Sequence, residues 1–195
     1  MARILLTGAT GYIGGRLVVE LLNHGYRVRV LARNPERLKD HPWINRVEVA
    51  SGDANDEFAL TQAMQGVDVA YYLLHALMSK DDFEVKERKL AEHFVKCSKA
   101  AGVSRIVYLG GLAPSIPLEK MSPHMRSRVE VGRILQASGV PTIEFRAAVV
   151  IGSGSASFEM MRYLTERLPA MITPRWVESR SAPIALANLL EYLVR

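Results

Sequence analysis

Residues 4–15 read Ile4-Leu5-Leu6-Thr7-Gly8-Ala9-Thr10-Gly11-Tyr12-Ile13-Gly14-Gly15, an apolar run followed directly by a glycine-rich segment. A strand, a glycine-rich turn and a helix in this order bring backbone N–H groups against a pyrophosphate at the N-terminus of the helix. In such a motif Gly8 allows the tight turn, Gly11 the close approach of the backbone to phosphate, and Gly14 the packing of the helix against the strand. The segment therefore predicts a dinucleotide-binding site.

Short β-rich apolar runs alternate with helical patterns along the whole chain, which is typical of βαβ units and a parallel sheet. We therefore predict an α/β fold of the doubly wound Rossmann type, with a mainly parallel sheet of six or more strands and helices on both faces. The predicted strands are 2–6, 26–32, 47–50, 67–74, 104–109 and 142–150, and the helices between them include 56–65, 81–101 and 123–138.

The whole chain, 1–195, is expected to form a single NAD(P)-binding domain with a small substrate-side extension at about 151–195. In this extension we expect a helix that ends near Leu168, a short strand at 171–173 and a final helix that begins at Pro183. We find no repeat, low-complexity tract or interdomain linker in the sequence.

Composition and charge limit the kinds of function to consider. The 195 residues are 49% hydrophobic and 23% charged, which is ordinary for a globular protein, and the net charge is +5. Because the basic residues are spread along the chain, a solvated basic surface with an anionic cofactor is favoured over nucleic-acid binding. Cys97 is the only cysteine, which excludes an intrachain disulfide and a cysteine zinc site. No apolar run is long enough for a membrane span, and we expect a cytoplasmic protein without a metal site.

The end of the second predicted strand bears on the choice between NAD and NADP. A carboxylate there accepts hydrogen bonds from the ribose hydroxyls of NAD, whereas a guanidinium pairs with the 2′-phosphate of NADP. This chain has Ala32-Arg33 and no acid, so we expect NADP (NADPH), with NAD less favoured. Asp53 is expected either to accept from the adenine amino group or to serve only as a turn or helix-capping residue. The full set of candidate cofactor-binding residues is Gly8, Thr10, Gly11, Tyr12, Ile13, Gly14, Arg33, Asp53, Ala54, Leu73, Leu74 and His75.

The glycine motif, Ala32-Arg33, the segment 52–54 and the six-strand order together resemble the short-chain dehydrogenase/reductase superfamily. More narrowly, the chain is similar to the atypical branch of that superfamily, the NAD(P)-binding proteins related to the NmrA regulators and to the accessory NADPH-binding subunit of respiratory complex I. The resemblance implies a dinucleotide partner and an unidentified small molecule. A homodimer or a larger protein partner is also compatible with it.

Catalytic members of the superfamily use a Tyr-x-x-x-Lys pair on the helix after strand five and a Ser or Thr at the end of that strand. Here the corresponding helix offers His124 and Arg128, and the strand ends in Gly110-Gly111; Ser115 lies further into the loop. The resemblance thus makes His124 a candidate proton donor and Arg128 a candidate ligand of the ribose or of an anionic substrate. The alternative is structural, with His124 capping or lining the first helical turn and Arg128 paired with Glu130 or solvent.

Two further residues are candidates because of their position at strand ends. His75 follows the fourth strand and is expected to face the cofactor cleft, as a catalytic residue or as a packing residue. Arg146, late in the sixth strand, is expected to border the nicotinamide side. Two functions follow: an NADP(H)-dependent reductase or isomerase of a small carbonyl or quinone-like substrate, or a non-catalytic NADP(H)-binding sensor or accessory subunit.

Overall fold

The structure is a computed structural model that describes residues 1–75, 83–168 and 181–195. Its main sheet has six strands in the order β3-β2-β1-β4-β5-β6, and every neighbouring pair is parallel. A second sheet pairs two short strands, β7 and β8. The strands are β1 (Arg3–Thr7), β2 (Arg27–Ala32), β3 (Glu48–Ser51), β4 (Val69–Tyr72), β5 (Arg105–Gly111), β6 (Thr142–Ala147), β7 (Val150–Ile151) and β8 (Ile184–Ala185).

Helices lie on both faces of the six-stranded sheet, which confirms the predicted doubly wound α/β fold. They are α1 (Tyr12–Asn23), α2 (Glu57–Met64), α3 (Phe83–Ala100), α4 (Pro123–Gln136), α5 (Ala156–Arg167) and α6 (Leu186–Val194), with short 3-10 helices at Pro35–Leu38, Ile44–Arg46 and Leu118–Lys120.

The core is divided by the sheet into two layers, because successive side chains of a strand point to opposite faces. Ile4 and Leu6 of β1 pack with Leu17 of α1 and Leu189 of α6, whereas Leu5 belongs to the layer under α2, α3 and α4. Cys97 lies in this second layer with 1% of its surface exposed. Each face thus buries an apolar surface against its own set of helices.

The strand order reverses beside β1, which has β2 on one side and β4 on the other. In doubly wound folds ligands bind beyond the carboxyl ends of the strands at this reversal. The glycine-rich segment follows β1, and residues 73–75 follow β4 at the same edge. The topology therefore brings the two segments together.

The C-terminal part differs from the sequence prediction in two places. The sixth strand ends at Ala147, and Val150–Ile151 leaves the main sheet to pair with Ile184–Ala185. The last helix begins at Leu186 rather than at Pro183, because Ile184 still belongs to a strand and donates its N–H to the Val149 carbonyl at 3.0 Å. The predicted strand 171–173 and the first two residues of the predicted helix 81–101 lie outside the described residues.

Within the three described ranges, no helix combines the length and the apolar composition needed to cross a membrane.

Candidate functional site

The turn after β1 depends on glycine backbone geometry. Gly8 has φ +81°, a left-handed conformation that favours glycine, and its carbonyl accepts the N–H of Gly11 at 2.9 Å. A Cβ on Gly8 would lie 2.7 Å from the carbonyl oxygen of Leu73, at the end of the neighbouring strand β4. The turn and the end of β4 are therefore in direct backbone contact.

Gly14 lets the first turn of α1 pack on this turn. A Cβ at Gly14 would lie 2.2 Å from the Gly8 carbonyl oxygen, far inside van der Waals contact. The helix is preceded by Gly11, whose lack of a side chain leaves the first-turn N–H groups without a side-chain cap. A helix N-terminus of this kind binds anions, so the turn fits a dinucleotide pyrophosphate. Thr10 is exposed beside it, and Tyr12 and Ile13 begin the helix.

Thr7 lies directly before the glycine turn and was not among the residues singled out from the sequence. Its side chain is completely buried, donates its hydroxyl to the Tyr71 carbonyl at 2.7 Å and accepts the Leu73 N–H at 3.3 Å. This hydroxyl ties the carboxyl end of β1 to that of β4. Its only sequence signal was its place directly before the first glycine.

Arg33 and Asp53 meet at the carboxyl ends of β2 and β3. A guanidinium nitrogen of Arg33 lies 4.0 Å from Asp53 Oδ2, and the Arg33 side chain is 76% exposed. Asp53 Oδ1 accepts from the N–H and the Nδ2 of Asn55, at 2.9 and 2.8 Å. Asp53 Oδ1 thus stabilises a turn, while Asp56 caps α2 by accepting the N–H groups of Phe58 and Ala59. Ala54 is buried behind it.

Leu73, Leu74 and His75 follow β4, and of these Leu73 is in contact with Gly8 of the glycine turn. Leu73 packs on the layer that holds α1, and Leu74 on the opposite layer. His75 follows with 28% of its side chain exposed. The three candidates after β4 therefore lie at the same strand edge as Gly8.

Arg128 is buried and paired with a residue that the sequence interpretation did not single out. Its guanidinium bonds to the carboxylate of Glu87 on α3 and donates to the Leu74 carbonyl at 3.3 Å. The expected pairing with Glu130 was wrong, because Glu130 lies on another side of α4 and bonds Arg88 at 2.7 Å. Glu87 also accepts the Ser127 hydroxyl at 2.8 Å. The signal that the sequence interpretation missed was Glu87, an acidic residue on the face of α3 that is buried.

His75 and His124 are in contact, with ring centroids 4.8 Å apart and an interplanar angle of 66°. His75 Nδ1 lies 3.6 Å from Glu87 Oε1, an ion-pair distance longer than a hydrogen bond. Partial burial of the ring, followed by repulsion from His75 and Arg128, lowers the pKa of His124; Glu87 acts in the opposite direction. The cap of α4 is the Ser122 hydroxyl, which accepts the Met125 N–H, and not His124.

Two tyrosines within the strands, Tyr71 of β4 and Tyr108 of β5, are buried in the core. Burial raises the pKa of Tyr108 to about 12, and its hydroxyl donates to the Arg128 carbonyl at 3.0 Å. Burial also raises the pKa of Tyr71 to about 12, and its hydroxyl donates to the Leu193 carbonyl. Neither phenol is therefore an available acid near neutral pH. Ser115, in contrast, is exposed in the loop after β5.

The loop after β7 contacts the first turns of α1 through Tyr12 and Arg16. The Tyr12 hydroxyl donates to the Ser153 carbonyl at 3.0 Å, and the Arg16 guanidinium stacks 4.0 Å from the centre of the Tyr12 ring. A Cβ at Gly152 would lie 2.5 Å from the Tyr12 hydroxyl oxygen, so a larger residue there would displace this hydroxyl from the Ser153 carbonyl. Arg146 bonds Glu144 at 2.8 Å, two residues away on the same side of the strand. Among the described residues there is no cluster of three or more side chains suited to a metal ion.

Two longer curated relatives are named as a reductase and as a dehydrogenase/isomerase. The chain is 36% identical over 138 residues to the (4-alkanoyl-5-oxo-2,5-dihydrofuran-3-yl)methyl phosphate reductase of Streptomyces griseus, covering 71% of this chain and 44% of that protein. It is 31% identical over 120 residues to a 3 beta-hydroxysteroid dehydrogenase/Delta 5→4-isomerase of Mycobacterium tuberculosis, covering 55% of this chain and 31% of that one. The chain therefore spans less than half the length of these relatives.

Solved structures share the fold. The enzyme WbmH of Bordetella bronchiseptica, in complex with NAD+, superposes with a TM-score of 0.76 at 21% identity, over 100% of this chain and 71% of that one. A Citrobacter sp. triphenylmethane reductase complexed with NADP(H) gives a TM-score of 0.65 at 25% identity, over 84% of this chain and 55% of that one. These two neighbours hold different dinucleotides, so the shared fold alone leaves the choice between NAD and NADP open.

A family model described as NAD(P)H-binding matches residues 8–141, from the first glycine of the turn to the start of β6. The match includes the strand ends where the glycine turn, Arg33, Asp53 and His75 lie. This match agrees with the resemblance of the glycine motif to that of the short-chain dehydrogenase/reductase superfamily. The chain belongs to the NAD(P)H-binding family.

Proposed function

We propose that the chain is an NADP(H)-dependent reductase or isomerase acting on a small carbonyl or quinone-like substrate. The observation that carries this proposal is the contact between His75 and His124 at the carboxyl ends of the strands, where a doubly wound fold places its ligand. The curated relatives, named as reductases and as a dehydrogenase/isomerase, support the same class of reaction.

The preference for NADP rests on Arg33. Its exposed guanidinium follows β2, where the adenine ribose binds in this fold, and a guanidinium matches the geometry of a 2′-phosphate. The neighbouring carboxylate of Asp53 is engaged by Asn55 in a turn and faces Arg33. This arrangement favours the cofactor with the additional phosphate over NAD.

A dinucleotide held by the glycine turn and Arg33 would supply the hydride that reduces the carbonyl carbon. His124 donates a proton to the carbonyl oxygen, and the contact with His75 orients its ring. Because the pKa of His124 lies below its ordinary value of 6.5, most of the protein carries a neutral His124 at pH 7. The rate of reduction should therefore rise as the pH falls through the range below 6.5, as the protonated fraction increases.

The test is NADPH oxidation by the purified protein with a panel of small aldehydes, ketones and quinones. We expect turnover above the enzyme-free rate and an acidic pH profile that His124→Asn flattens. The matched control is His24→Asn, since His24 is exposed at the end of α1 and bonds its own helix at the Glu20 carbonyl. Turnover that is equal in the two variants at every pH would contradict the role of His124.

A second candidate is a non-catalytic NADP(H)-binding module. It is favoured by one observation: the Arg128 guanidinium, at the position of the superfamily's lysine, is engaged by Glu87 inside the protein. In that case NADPH raises the thermal stability of the protein without being consumed over the whole panel. Comparing the thermal shifts given by NADP, NADPH and NAD separates binding from catalysis, and equal shifts from NAD and NADP would argue against the role of Arg33.

A further inference from the structure

Three charge pairs join α3 to α4, and we call this set the α3–α4 seam: Glu84 with Arg126, Glu87 with Arg128, and Arg88 with Glu130. In the two outer pairs each side chain is at least 30% exposed. In the central pair the side chains of Arg128 and Glu87 are 7% and 2% exposed. The seam therefore contains one buried ion pair between two solvent-accessible ones.

A buried ion pair is an expensive way to join two helices. Taking both charges out of water costs several kcal/mol per ion, and apolar side chains of similar volume often give equal or greater stability. Good geometry offsets this cost, and here one carboxylate oxygen of Glu87 accepts from both Ser127 and Arg128. Helix packing alone does not explain why a carboxylate and a guanidinium occupy this position.

The other contacts of the central pair lead toward the candidate site. The second carboxylate oxygen of Glu87 faces His75 Nδ1 at 3.6 Å, and the guanidinium of Arg128 reaches the carbonyl of Leu74, the residue before His75. His75 in turn contacts His124. The buried pair thus touches the segment after β4, while Ser127 and Arg128 belong to the same helix as His124.

We propose that Glu87 is a positioning residue of the candidate site: its carboxylate keeps the Arg128 guanidinium inside the protein and fixes His75 and the start of α4, so that His124 stays in contact with His75. This inference rests on the proposed function only in that His124 is taken as the proton donor. Arg128 then acts on the site through its charge and through Leu74, and is not a ligand of the cofactor ribose.

The described charged and titratable groups that face His124 are His75 after β4, Arg128 on α4 and Glu87 on α3. His75 and Arg128 oppose protonation of His124, whereas Glu87 favours it. Removing the Glu87 charge should therefore lower the pKa of His124 further. Removing both members of the pair should move it the other way, because Arg128 has the larger effect of the two.

The experiment is an NMR titration of the histidine ring protons, together with the nuclear Overhauser contact between the His75 and His124 rings. The variants are Glu87→Gln, the double variant Glu87→Gln/Arg128→Met, and the matched control Glu84→Gln. The control removes a carboxylate that bonds α4 from the same helix, one turn earlier, with bonds of 2.9 and 3.0 Å to Arg126. The double variant removes both charges of the pair, so neither is left buried without its partner. Its histidine titration can therefore be measured even if Glu87→Gln alone does not fold.

We expect the titration midpoint of His124 to fall in Glu87→Gln and the ring contact to weaken. In the double variant the midpoint should lie above the wild-type value, and in Glu84→Gln both signals should match the wild type. Midpoints that are unchanged in both Glu87 variants, with the ring contact intact, would overturn the proposal. Equal shifts in Glu84→Gln and Glu87→Gln would also overturn it, because they would indicate a general effect of loosening the seam.

A kinetic measurement separates this inference from the proposed function. With a substrate that turns over, Glu87→Gln should lower kcat by about tenfold to a hundredfold through misplacement of His124, and change KM for NADPH by less than about threefold. A wild-type protein without turnover whose histidines still titrate as expected contradicts the proposed function and supports the positioning role. Turnover with a kcat unaffected by Glu87→Gln contradicts the positioning role alone.

Discussion

The glycine turn after β1 and the α3–α4 seam lie near the same edge of the sheet but are built in different ways. The turn uses residues within seven positions of each other and depends on backbone atoms, since a Cβ at Gly14 would lie 2.2 Å from the Gly8 carbonyl oxygen. The seam joins side chains 41 and 42 positions apart through charges. The conformation of the glycine turn is therefore specified mainly by residues close in sequence, whereas the surroundings of the candidate proton donor depend on helix packing.

Arg128→Met tests the seam and should have the largest effect. It leaves the buried Glu87 carboxylate without its guanidinium, and the loss of one partner of a buried pair costs about 4 kcal/mol of unfolding free energy. The matched change, Arg126→Met, breaks the half-exposed pair with Glu84 and should cost less than about 1 kcal/mol. Urea unfolding of both variants measures the difference; equal losses would show that burial of the central pair has no energetic consequence.

Gly14→Ala tests the glycine turn. The new Cβ collides with backbone rather than with a flexible side chain, so we expect a loss of about 3 kcal/mol in unfolding free energy and no measurable NADPH binding. Equilibrium unfolding and calorimetric titration with NADPH are the measurements.

The control for the glycine turn is Gly102→Ala, at the end of α3. Gly102 has φ +69° and open space where its Cβ would be, so this change should cost only about 1 kcal/mol of backbone strain. NADPH affinity should stay at the wild-type value. If the two variants lost affinity equally, general destabilisation would explain the result and the turn would have no special role.

Arg33→Asp tests the adenine end of the cofactor site. Replacing a guanidinium by a carboxylate removes the partner of a 2′-phosphate and adds repulsion, so NADP affinity should fall at least about tenfold while NAD affinity stays within about threefold. Lys99→Asp, with the same change of charge near the C-terminus of α3, controls for net charge. An NADP affinity that is the same in Arg33→Asp and Lys99→Asp would exclude a specific contact.

Tyr12→Phe should give the smallest effect. It removes the hydrogen bond to the Ser153 carbonyl and keeps the ring that stacks on Arg16. The free energy of unfolding should therefore fall by about 1 kcal/mol or less. NADPH affinity is expected to change by less than about threefold. A loss of affinity as large as that of Gly14→Ala would instead show that the loop around Ser153 is part of the cofactor site.

The fold and the cofactor turn were predictable because their signals are local. Gly8, Gly11 and Gly14 are spaced by the geometry of one turn and one helix, and the alternation of strands and helices indicated the parallel sheet. The predicted sixth strand extended past its observed end at Ala147. An apolar run in the sequence does not reveal that Val150–Ile151 pairs with Ile184–Ala185. That pairing depends on where the last segment of the chain returns to the sheet.

Only part of the candidate proton-transfer site could be predicted from the sequence. His75 and His124 were identified by their places after strand four and on the helix after strand five, but their contact was not. Glu87 was not identified at all, because in the sequence it is one of several charged residues on a long helix. Its burial follows from the packing of α3 against α4, which also decides that Arg128 pairs with Glu87 and not with Glu130.

The sequence by itself determined the doubly wound fold and the dinucleotide-binding turn, since both follow from backbone conformations that neighbouring residues impose. The tertiary structure alone decided which charge Arg128 contacts, which hydroxyl joins β1 to β4 and which ring His124 meets. These contacts join residues that are distant in the chain, and their free energies depend on burial, which exists only after the helices have packed on the sheet.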